Sequence, residues 1–144
     1  MNPILSAGLL IGVLCGSFTI VMGLTGWYKD PAMVNVFIPV VTLIEILGLI
    51  WGLRKTAAQG RTYSGQVVAG TLMALVAGAV IVCASLLFTM VLYPDFATTN
   101  PSGQTAAQSA MGGFLGTFMT GVIASAVIAI WIRARTPGRT AARV

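Results

Sequence analysis

The chain has 144 residues, 57% of them hydrophobic and only 8% charged, against roughly 25% charged in ordinary soluble domains. With a mean hydropathy of +0.94 and apolar residues in long unbroken runs, too little polar side chain is present to cover a soluble fold, so lipid is the expected solvent for much of the surface. The net charge of +5 comes from basic residues at the edges of those runs, a pattern that sets topology and meets anionic membrane lipids rather than nucleic acid.

The first apolar run lacks a basic leader and a small-residue cleavage site, so it reads as a retained helix rather than a signal peptide. Asn2 is suited to cap it and Pro3 to its first position, giving a span of about residues 3–26, with Trp27 and Tyr28 at the bilayer interface. Asp30 and Pro31 repeat the start signal, and the second span runs over about 31–53, stopped by Arg54 and Lys55. Pro39 lies inside it and is expected to kink it or free one backbone bond. A short basic loop leads to the third span, about 63–93, ended by Pro94. At 1.5 Å per residue this span is about 45 Å long, more than the hydrocarbon core of about 30 Å, so it must tilt or protrude. The stretch from Pro94 to Ser109 is the longest polar one, and Asn100-Pro101 favours a turn. The fourth span covers about 110–133, and the basic tail 134–144 is expected to be disordered.

Arg54, Lys55, Arg61, Arg133, Arg135, Arg139 and Arg143 fall on one side of this arrangement, and only Lys29 on the other, beside Asp30 and with Asp95. The positive-inside rule then puts both termini in the cytoplasm. The expected fold is all-α: a single membrane domain forming a four-helix bundle, with N and C termini inside. Helices one and two do not align in motif with three and four, so an internal repeat has no support.

Small residues recur every four positions: Gly8, Gly12 and Gly16; Gly48 and Gly52; Gly70 and Gly78 with Ala74 between; Gly112 and Gly116. Such faces let backbones approach closely and gain dispersion contacts where lipid removes the hydrophobic drive. They are expected to pack the bundle, with Gly8-Gly12-Gly16 as the alternative seam between copies.

One acid lies inside a span. Glu45 is nine residues before Arg54, about 13 Å from the cytoplasmic end. A charge at such depth costs about 2.5–3.5 kcal/mol on insertion scales. Thr42, Gly48, Leu49 and Gly52 share its face, so it is expected to point into the bundle, with Gln66, Thr71 and Ser125 as candidate hydrogen-bond partners. It reads either as a protonatable site for a proton or cation, or as a neutral acid fixing helix register. Cys15 and Cys83 stand within apolar runs at no metal or redox spacing and read as small hydrophobes; histidine is missing from the sequence. No metal, cofactor or catalytic residue is therefore expected.

The glycine-rich first helix, the loop RKTAAQGR, the Tyr63-Ser64-Gly65-Gln66 start of the third helix with Gly70 following, and the Tyr93-Pro94-Asp95-Phe96 exit together look familiar. In these the chain resembles a small bacterial four-helix membrane family known as domain of unknown function 4199. That resemblance implies four spans, a bacterial inner membrane and no established activity. The functional expectation is a non-enzymatic multi-pass protein acting through helix association, as a homo-oligomer or an accessory subunit of a larger membrane complex. The alternative is a small dimeric proton- or cation-coupled transporter or channel using Glu45.

Overall fold

Capping chemistry sets the helix starts in a computed structural model that describes residues 2–99 and 103–134. The Asn2 side chain accepts from the Ile4 amide at 3.1 Å and Pro3 takes the first position, so α1 runs Pro3–Leu24. Asp30 accepts from the Ala32 amide at 2.9 Å ahead of α2, Pro31–Ala58. This helix passes through Pro39 without a break. It also continues past Leu53, carrying Arg54 and Lys55 within it. The charges end the apolar run and not the helix, because Arg and Lys are good helix formers and suit the negative C-terminal end of its dipole.

Thr62 accepts from the Gly65 amide at 3.3 Å and starts α3, Tyr63–Leu87. The chain then widens into a π-helical turn, Phe88–Leu92, closed by the Tyr93 amide on the Phe88 carbonyl at 2.8 Å. Pro94 follows, with no amide to offer and a ring that bars helical geometry at Tyr93. One turn of helix, α4, covers Phe96–Thr99.

Helix α5 spans Ala106–Ala134 and so begins four residues before the start read from hydropathy. The cause is a reciprocal capping box. The Thr105 hydroxyl accepts from the Gln108 amide at 3.2 Å, and the Gln108 side chain accepts from the Thr105 amide at 2.9 Å. The Asn100-Pro101 turn and the tail bearing Arg135, Arg139 and Arg143 lie outside the described residues.

The chain is all-helical among the described residues. Four of its helices, Pro3–Leu24, Asn35–Ala58, Tyr63–Leu92 and Ala106–Ile132, are long and apolar enough to cross a membrane. Large side chains such as Val13, Leu47, Met90 and Ile123 point outward from the bundle.

Glycines fix the register of three seams. A Cβ placed on Gly8, Gly12 or Gly16 would stand 2.6–2.8 Å from Val76, Val80 or Ala84, so α1 and α3 run parallel in close contact. The face read alternatively as a seam between copies is thus occupied within the chain. Gly48 meets Ile11 and Gly52 meets Ala7, which sets α1 antiparallel to α2. Gly70 lies against Ser125, Gly121 against Ala74 and Gly78 against Phe114, which sets α3 antiparallel to α5.

Gly112 and Gly116 break the pattern. A Cβ on either meets nothing within 4 Å. The packing row of α5 is Gly113-Thr117-Gly121-Ser125, one residue round the helix from the expected pair, and in it Thr117, Gly121 and Ser125 are buried. Equal spacing does not distinguish two neighbouring rows; only contact with α3 selects one.

These directions gather Lys29, Asp30 and Asp95 at one end of the bundle and Arg54, Lys55 and Arg61 at the other. At the basic end Arg54 stands over the Trp131 ring at 5.5 Å and Lys55 over Trp51 at 3.6 Å.

Candidate functional site

Glu45 is 3% exposed and faces the bundle interior from the middle of α2. The Thr117 hydroxyl on α5 donates to its Oε1 at 2.5 Å. Thr117 is itself 5% exposed, held inward by its place in the packing row of α5. No described residue donates to the second carboxylate oxygen, Oε2. The Cys15 thiol of α1 also faces the site; α3 and α5 bring no titratable group to it.

The surroundings of Glu45 differ on its two sides. Toward the basic end, Ile11, Leu49, Ala74, Ala77 and Gly121 close around Glu45 and Thr117 and leave no space for a water molecule. Below that floor the core continues through the fully buried Leu53 and Met73. Toward the end bearing Asp30 and Asp95, a cavity of about 440 Å³ opens between α2 and α5. Thr42, Ser85, Ser109, Thr117 and Thr120 line it with Glu45, alongside apolar residues such as Phe37, Ile38, Val41 and Ile81. Gly112 and Gly116 form part of its α5 wall, so there the wall stands at the level of the backbone.

A second cavity of about 220 Å³ continues the first toward the loops and shares Thr19, Phe37, Ser85, Gln104 and Ser109 with it. Its walls are aromatic. Tyr28 lies 6.1 Å from Phe88 and 5.8 Å from Phe96 between ring centroids, and Phe88 and Phe96 are 5.6 Å apart. Phe37, stacked on Phe18 at 5.6 Å, lines both cavities. The π-helical turn supplies Phe88 and Thr89 to this wall; such turns recur at functional sites.

Of the residues expected around Glu45, Thr42 lines the cavity with it. The other three do not bond to it. Thr71 donates to the Val67 carbonyl at 3.0 Å and Ser125 to the Gly121 carbonyl at 2.5 Å, each along its own helix. Gln66 is buried near the basic end with its Oε1 unpartnered.

Thr117, the actual partner, shares a face with Ser125 but lies two turns away. Depth counted from the acidic end favours it only once α5 is known to begin at Ala106 rather than at about 110. Glu45 is 14 residues into α2 and Thr117 is 11 into α5, whereas Ser125 is 19 in. Of the aromatic wall, only Tyr28 stood out in the sequence, as an interface residue, because Tyr28, Phe88 and Phe96 come from three separate segments. Cys15 is buried as expected, but Cys83 is exposed on α3. Among the described residues no three His, Cys, Asp or Glu side chains converge as a metal site would require. No family model, curated protein or solved structure matches this chain.

Proposed function

We propose that this chain is a multi-pass protein of a bacterial inner membrane, with both termini cytoplasmic, that takes up a proton or small cation at Glu45 from the outer side. One observation carries the reading. An intramembrane carboxylate, held by a single hydroxyl, lines a cavity of about 440 Å³ that lies on its Asp30–Asp95 side and is open between α2 and α5, while its opposite side is closely packed. A purely structural acid needs no cavity, whereas Glu45 stands at one with an oxygen that no described residue bonds. The segregation of Arg54, Lys55 and Arg61 from Asp30 and Asp95 supports the orientation, in which the cavity lies in the outer half of the bundle. The sealed floor fits an alternating-access carrier better than a channel, which needs a continuous path.

The test is flux in proteoliposomes with the intact chain and with Glu45→Gln, which keeps the size of the side chain and an acceptor for Thr117. Glu45-dependent uptake of protons or potassium is the expected result; transport unaltered by the substitution sinks the reading. Fusions of a reporter to either terminus check the topology.

A second reading rests on Gly112 and Gly116. They form a small-residue face on α5 that nothing among the described residues covers. Association through it, as a homo-oligomer or with a subunit of a larger membrane complex, would also wall the open α2–α5 side of the cavity. Native mass spectrometry from gentle detergent distinguishes this from a monomer.

A further inference from the structure

We infer that the cavity takes a monovalent organic ammonium ion bearing an aromatic or branched apolar group, with its charge at Glu45 and its apolar part among Phe37, Phe88 and Phe96. The inference rests on the reading of Glu45 as a cation site and narrows its ligand.

Size is the first argument. The cavity holds about 440 Å³ and opens into a further 220 Å³. That lies in the range of about 300–1,000 Å³ typical of small-molecule pockets, whereas one water occupies only about 30 Å³. A proton or bare metal ion alone would leave most of that room unfilled.

Ligand chemistry is the second. Hard metal cations gather roughly six or more oxygens, several of them charged. Here one carboxylate stands alone, since no other Asp or Glu reaches the cavity. The nearby hydroxyls of Thr19 and Thr89 are turned to their own helices, donating to the Cys15 and Ser85 carbonyls at 3.0 and 2.8 Å. Thr117 is engaged with Glu45, and the other lining hydroxyls, of Thr42, Ser85, Ser109 and Thr120, are neutral; a single negative charge among neutral groups suits one positive charge that brings its own substituents.

The walls are the third. Aromatic faces attract cations, most strongly where water is excluded, and they accept apolar groups at no polar cost. Tyr28, Phe88 and Phe96 form one cluster at the outer part, and Phe37 extends the aromatic surface into the chamber of Glu45. On the α5 side, the bare backbone at Gly112 and Gly116 gives width that any side chain would remove.

Equilibrium dialysis of the full chain in detergent, with benzyltrimethylammonium as probe and potassium as competitor, tests this. Saturable binding that potassium does not displace is expected. Glu45→Gln should weaken it by about tenfold or more, and Phe37→Ala by roughly threefold or more. Gly116→Leu adds bulk at a cavity wall where a Cβ meets nothing, and it should weaken binding by about tenfold, with far-ultraviolet circular dichroism checking that the helices are kept. Retention of Glu45-dependent proton or potassium flux with no saturable binding of the probe below about 10 mM overturns the inference and leaves the cation site standing. Equal binding to wild type, Glu45→Gln and Gly116→Leu overturns it as well. Loss of both flux and binding removes the cation site and this inference together.

Discussion

Gly12→Ala and Gly116→Ala place the same methyl group on two glycines that the sequence presents alike, each in a four-residue repeat, and the structure assigns them opposite outcomes. On Gly12 the new carbon would stand 2.6 Å from the Val80 Cβ and 2.9 Å from the Ala77 carbonyl oxygen. Non-bonded carbons settle at about 3.5–4.0 Å. The obstructing atoms are a carbonyl and a β-carbon, both fixed to the α3 backbone, so α1 and α3 must part by roughly 1 Å, the shortfall in that contact. Overpacking of this kind costs about 1–3 kcal/mol, offset in part by about 0.5–1 kcal/mol from replacing a helical glycine. On Gly116 no atom lies within 4 Å, and only the helix-propensity gain of about 0.5–1 kcal/mol remains. The two variants should therefore differ by about 2 kcal/mol in equilibrium unfolding from mixed micelles, followed by far-ultraviolet circular dichroism. Equal stabilities, or a more stable Gly12→Ala, would show that the α1–α3 seam is not in contact as described and would refute the packing argument.

Thr117→Val removes the one donor to Glu45 and leaves a buried acceptor without a partner. A loss of about 1–3 kcal/mol is expected, largely restored by Thr117→Ser, with micellar unfolding as the measurement; a neutral Thr117→Val would mean that Glu45 does not depend on this hydroxyl. Gln66→Met replaces a buried side chain whose Oε1 is unpartnered with an apolar one of similar length. Stability should be unchanged or raised by about 1 kcal/mol, and a marked loss in the same assay would reveal a polar partner for Gln66.

Much of the architecture was legible in residue order. Four long apolar runs, the Asn2-Pro3 and Asp30-Pro31 starts and the over-long third span depend on hydropathy and on capping within three or four residues, and these act locally in any context. The TAAQ capping box of α5 was equally local, yet the polar stretch around it hid the helix start from a reading by hydropathy. That Glu45 faces inward followed from its row of small neighbours, and the structure agrees.

What the sequence by itself determined was thus which residues form helices and which faces are small or polar, because both are properties of one helix at a time. The tertiary structure alone decided what those faces meet. It turned Gly8-Gly12-Gly16 onto α3, left Gly112 and Gly116 uncovered, and gave Glu45 Thr117 rather than Ser125 two turns further along the same face. The physical reason is register. Sliding or rotating one helix by a residue changes every pairing across the seam while leaving its own pattern intact, so which hydroxyl meets the acid, and whether a cavity opens above it, depends on two helices together.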